Sequence, residues 1–174
     1  MFAFQFKVSV HWEKEIILGR GAIVMALVLT IKEITEHLEQ LGLWNPATER
    51  TVVYAQVNPS MGQVFLFGAY AQLIKGKYFV MCLEENRIIL IPLSKLSGKI
   101  DKKLEPIFIP HEELEGVYIK RGKMMHTVIF IGEEEELPLN LSKVAVGMKW
   151  HKNNLETVMT ELEALQGVVG TGEI

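Results

Sequence analysis

Cysteine and aspartate are almost missing from this chain, and each scarcity closes off a class of function. The single cysteine, Cys82, excludes an internal disulfide and points to a reducing, cytoplasmic home. It lies in the apolar run Tyr78 to Leu83, the setting of a small core residue rather than a nucleophile. The single aspartate, Asp101, stands among lysines and offers no carboxylate pair for acid–base chemistry. The glutamates gather at Glu112–Glu113 and Glu133–Glu136, on turn-like stretches where runs of charge are solvated.

Metal-ligand spacing is missing as well. None of His11, His37, His111, His126 and His151 pairs at helical ligand spacing, and there is no Cys-x-x-Cys. His111 in a turn and His126 in a strand are expected at the surface. Ser60, Ser94, Ser97 and Ser142 have no glycine elbow around them. Gly167-Val-Val-Gly-Thr-Gly172 follows the last helical pattern, whereas a phosphate-cradling loop precedes its helix. No catalytic residue, metal ligand or cofactor is nominated, and the chain is expected not to be an enzyme. A net charge of −3 gives no global attraction to nucleic acid, so no nucleic-acid partner is expected. Residues 1–24 lack a secretory pattern: Phe2, Phe4 and Phe6 come first and Glu13, Lys14 and Glu15 follow.

What the chain has is apolar residues, 49% of 174, enough to bury a core without staples. Residues 1 to 10 alternate like a strand without a nearby partner. Ala22 to Ile31 is densely apolar but too short to span a bilayer, leaving a buried helix or a membrane-associated segment. Leu27, Ile31, Ile34, Leu38 and Leu41 continue it as one helical stripe, with Gly42 as C-terminal cap. That stripe must pack on the downstream domain, a second copy or a partner. Arg20-Gly21 upstream of Met25 is compatible with a ribosome-binding sequence, so Met25 is a candidate native start.

Thr51–Val57 reads as a strand. Ser60-Met61-Gly62-Gln63 opens a helix to about Ile74, with a strand as the alternative. The period then becomes two. Lys77–Leu83 and Arg87–Leu93 form a hairpin through Glu84-Glu85-Asn86, and both runs are apolar on both faces, so each face should be covered. Further strands are expected at Glu105–Ile109, Glu115–Arg121, Met124–Ile131 and Glu135–Leu141, with one helical turn at Pro110–Leu114. Trp150, His151, Leu155, Val158, Met159, Leu162 and Leu165 then repeat as one helix, capped at Gly167. About seven antiparallel strands and one closing helix imply a barrel or sandwich whose open mouth the helix plugs.

The hairpin KYFVMCLEENRIILIPL, the segment FIPHEELEGVYIKRGKMMHTVIFI and the helix with Trp150 near its start resemble a bacterial pleckstrin-homology-like domain of the YokE-like kind. The resemblance covers Lys77–Gln166, and the segment Met61–Ile74 departs from a compact version of that pattern. It implies a seven-stranded antiparallel barrel or sandwich capped by a C-terminal helix, and a binding or scaffolding role in a bacterial or phage setting. It does not imply phosphoinositide binding. The expected organisation is a helical extension over 1–46, the domain over 47–167 and a loose tail over 168–174.

The expected function is therefore a non-enzymatic module contacting a protein or peptide partner, with self-association through the N-terminal helix as one form of it. The alternative is a peripheral membrane protein using Ala22–Ile31 and a lysine-rich loop. That loop, Ser94–Lys103, carries Lys95, Lys99, Lys102 and Lys103, the candidate binding residues for a phosphate or acidic partner. Lys120, Arg121 and Lys123 form a second, smaller basic turn.

Overall fold

A computed structural model describes residues 28–57, 78–133 and 136–170. The expected strand over 1–10, the apolar residues 22–27, the Met25 start and the segment Met61–Ile74 lie outside the described residues. Helix α1 is Ile31–Gln40, and strands β1 to β7 are Val52–Val57, Tyr78–Leu83, Arg87–Leu93, Ile107–Pro110, Gly116–Lys120, Met125–Ile131 and Glu136–Ser142. Helix α2, Lys149–Val169, closes the order. The strands form one antiparallel sheet in the order β4-β3-β2-β1-β7-β6-β5, curled into a half-barrel.

Period-two alternation sends one face of every strand into a common core. Val53, Phe79, Leu90, Ile109, Val117, Phe130 and Leu139 meet there, and Leu155, Val158, Met159 and Leu162 of α2 close it. Each large side chain so buried contributes on the order of 1.5–3 kcal/mol. Leu137, Leu139 and Leu141 point inward as expected, but Pro138 and Asn140 are buried too.

The apolar outer faces of β2 and β3 require a second cover, and α1 supplies it. Ile34 and Leu38, with Leu29 ahead of them, pack on Val52, Val80, Cys82, Ile89 and Ile91. Of the three surfaces open to the helical stripe, the sheet is the one it meets. The helix starts later than its apolar pattern suggested. Thr30 is extended and caps it, its hydroxyl accepting the Glu33 N–H at 3.3 Å while the Glu33 carboxylate accepts the Thr30 N–H at 2.9 Å. Gly42, at φ 68°, ends it as expected: its N–H donates to Glu39 and that of Leu43 to Leu38. Leu41, counted on the stripe, is exposed.

Trp150 was expected in the mouth of the barrel, but it belongs to this outer cluster, where its indole N–H donates to the Leu29 carbonyl at 2.9 Å. Gly167 was expected to end α2. The helix runs through it to Val169, and Gly170, at φ 103°, is the cap.

The first turns of α2 also repair the sheet. The β1–β7 ladder consists of Gln56 opposite Asn140 and Val57 opposite Leu139. Extending that register would place Tyr54 opposite Ser142. The imidazole of His151 stands between them: the Tyr54 N–H donates to Nδ1 at 2.9 Å, and Nε2 lies 2.6 Å from the Ser142 carbonyl. One turn on, the Asn154 amide donates to the carbonyls of Glu49 and Val52 at 2.7 and 3.0 Å. The Tyr54 N–H and the carbonyls of Ser142, Glu49 and Val52, near where the strands part, thus gain side-chain partners.

Candidate functional site

The lysine loop is a folded turn. Ser94 and Lys99 close it by a backbone hydrogen bond of 2.8 Å, and Gly98 takes φ 66° inside it. Its four candidate residues do not converge. Lys99 is half-buried and turned toward α1, where it donates to both Glu33 carboxylate oxygens, at 2.7 and 2.9 Å, and to the Val28 carbonyl at 2.7 Å. It ties the loop to the helix. Lys102 borders the same small cleft of about 120 Å³ as Lys99, facing His37 and Glu36. Burial lowers the His37 pKa, and the charge of Lys102 lowers it further. Lys95 and Lys103 are exposed and line no part of that cleft. In the second basic turn, Arg121 is held by Glu163 at 2.6 Å and Glu156 at 2.9 Å.

A larger groove of about 650 Å³ lies elsewhere, where three distant pieces of sequence meet. The first is the β2–β3 turn. The second is the corner between β4 and β5, where Pro110 leads a short 3-10 turn, His111–Glu113, and buried Leu114 pins it. The His111 N–H donates to the Asn86 carbonyl at 2.9 Å and so joins corner to hairpin. The third is the end of α2. The Gly170 carbonyl accepts the Val117 N–H at 3.1 Å and the Gln166 amide donates to the Val117 carbonyl at 2.7 Å, which fastens the helix end along the edge of β5.

Leu83, Leu114, Leu165, Val168 and Val169 give the groove an apolar floor and wall. Val168 is 84% exposed. Glu85, Glu112 and Glu161 are exposed along the rim, while Glu84 is engaged by Arg87 at 2.6 Å. Among the described residues no lysine or arginine lines the groove. His111, expected at the surface, is half-buried in its wall, and its Nε2 has no hydrogen-bond partner among the described residues. Burial lowers its pKa against the opposing pull of the Glu85 carbonyl, so the ring is neutral at neutral pH.

His126 is likewise not a surface residue. It shares the inward face of β6 with Val128 and Phe130, and it is fully buried. Its Nε2 is 4.0 Å from the Glu156 carboxylate, and among the described residues neither ring nitrogen has a hydrogen-bond partner. Burial, then Lys143 and Arg121, lower its pKa, with Glu156 and Glu163 opposing. The thiol of Cys82 is fully buried and its pKa is pushed far up, chiefly by desolvation. Among the described residues neither groove is lined by a serine or cysteine. Among the described residues no group of three or more His, Cys, Asp or Glu is placed to hold a metal ion, and no helix is long and apolar enough to cross a membrane.

The buried histidines had a signal in the sequence: His126 falls on the period-two inward face and His151 on the α2 stripe. The large groove had none, because its walls are some 30 to 80 residues apart in the chain. The fold and site together define a mainly β protein with a curled seven-stranded antiparallel sheet, a C-terminal helix and an acid-rimmed apolar groove at their junction. No protein-family model matches the chain, and none of the curated proteins matches it.

Proposed function

We propose that this chain is a non-enzymatic, cytoplasmic binding module of pleckstrin-homology-like fold that takes a protein or peptide partner in the groove between the β2–β3 turn, the β4–β5 corner and the end of α2. The bacterial or phage setting belongs to the same proposal. The observation that carries it is the groove itself: about 650 Å³, apolar-floored and open along one side. Its walls are pieces tied together by hydrogen bonds, which lowers the ordering cost of binding. The strand order and the closing helix support the fold assignment.

Selection of peptides from a random library against the full chain tests this. Recovered peptides are expected to lose binding to Val168→Asp and to keep it for Lys103→Ser in the lysine loop. Failure to recover any peptide, or binding indifferent to Val168→Asp, would overturn the proposal.

The membrane reading retains one favourable observation: Leu96 is 97% exposed at the tip of the lysine loop, beside Lys95. Flotation with anionic vesicles tests it. Binding lost in Leu96→Ser would support it, and no binding would end it.

A further inference from the structure

We infer that the partner segment is a cationic amphipathic helix, laid along the exposed flank of α2 with its apolar face on the groove floor. This rests on the reading of the groove as a peptide site and adds the chemistry of its occupant.

The first ground is the shape of the apolar surface. Ala164, Leu165, Val168 and Val169 follow one another at helical spacing and Glu161 stands one turn before them, so the five form a single stripe on α2, charged at its first position and apolar from Ala164 on. At about 1.5 Å per residue that stripe is roughly 12 Å long, two turns of a partner helix. Leu83 and Leu114 close the opposite side. A helix resting there presents apolar residues at i, i+3 or i+4, and i+7. An open groove of this length fits a helix face better than a small ligand, which needs enclosure on most sides.

The second ground is charge. Glu85 on the hairpin, Glu112 on the corner and Glu161 on α2 surround the apolar stripe from three directions. Among the described residues none of these three makes an ion pair, and Arg87, at the foot of the same hairpin, is already taken by Glu84. Their carboxylates sum to a negative potential over low-dielectric walls. Nucleic acid, an anionic membrane or an acidic peptide would be repelled. Lysine or arginine flanking the apolar face of a helix would meet all three carboxylates while the apolar face is desolvated.

The test uses the full chain and three labelled synthetic helices of about four turns. One carries leucines on one face with lysines beside them. The second has glutamate in place of every lysine. The third keeps the composition of the first but scatters its leucines. Fluorescence anisotropy is expected to show binding of the first peptide only, weakened several-fold between about 50 and 500 mM salt. Val168→Asp is expected to weaken it about tenfold or more. Because that substitution adds negative charge, a loss seen in the folded variant cannot come from weaker charge attraction. Glu85→Lys combined with Glu112→Lys should also cost about tenfold. Glu39→Lys, on α1, should change nothing. Circular dichroism and urea midpoints check that the variants fold.

Equal binding of the glutamate peptide, still sensitive to Val168→Asp, would overturn the cationic inference and leave the groove standing as a peptide site. Equal binding of the scattered-leucine peptide would overturn the helix. Binding insensitive to both groove variants would overturn the site together with its occupant. No binding of the lysine peptide, with library peptides still bound at Val168, would overturn this inference alone.

Discussion

His151 is hydrogen-bonded through both ring nitrogens, and that fixes its tautomer. Nδ1 accepts from the Tyr54 N–H, so the proton sits on Nε2 and is donated to Ser142. A second proton would have to go on Nδ1, facing an N–H. Burial lowers the pKa below the ordinary 6.5, with the Ser142 carbonyl opposing. His37, His111 and His126 are lowered as well, each with burial as the leading cause. A histidine depressed in the folded state favours folding fully above its unfolded pKa and loses that contribution as pH falls toward the folded value. The urea midpoint is therefore expected to be flat above about pH 7 and to fall as pH drops below about 6.5. His151→Gln should flatten part of that slope. A midpoint constant down to about pH 5 would contradict the assignment of His151 as a buried neutral bridge. Cys82 gives a second residue-scale test. A thiol-reactive dye should leave the native protein unlabelled and label it on unfolding, because the side chain is fully buried and its pKa raised. Rapid native labelling would mean the outer cluster opens.

Helix α1 is held at each end by a recognisable device. The pair Thr30 and Glu33 forms a capping box, and Glu33 also receives Lys99. Thr30→Ala is expected to cost about 1 kcal/mol in urea unfolding. Glu33→Ala should cost more, because it removes the cap and the Lys99 tether together. Equal costs would mean the half-exposed ion pair contributes nothing, as many surface pairs do. Element by element, much of this was legible. The runs Tyr78–Leu83 and Arg87–Leu93 are apolar on both faces, which called for two covers, and two clusters supply them. Thr30-x-x-Glu33 was also readable as a start signal, but the apolar run before it masked it. Pro92, a residue type suited to a strand end or edge, lies inside the sheet in β3, but beyond the reach of β4, which pairs only with Arg87 to Leu90. The fate of Lys99 was not legible, since its partners are about 70 residues away.

The molecule separates its charges, which a net value of −3 conceals. Glu84, Glu85, Glu112, Glu113 and Glu115 gather where the β2–β3 turn meets the β4–β5 corner. Lys120, Lys123 and Lys143 lie at the opposite ends of β5 and β7, where the Lys143 N–H reaches the Met124 carbonyl at 3.0 Å. Such a division follows from the topology, not from local sequence, so composition alone could not show it. Burial is uneven in the same global way. Strands β2 and β3 are buried along nearly their whole length, whereas β5 is an edge strand with Lys120 exposed. Amide hydrogen exchange is expected to be slowest in β2 and β3 and faster in β5. The reverse order would mean that α1 does not cover the sheet in solution. The groove at the end of α2 is the proposed meeting place with a partner. Amide NMR of the full chain, titrated with a library-selected peptide, tests it most directly. Shifts concentrated at residues 83–85, 111–114 and 161–169 are the predicted result. Shifts centred on the lysine loop at 94–103, with those three segments unmoved, would contradict it.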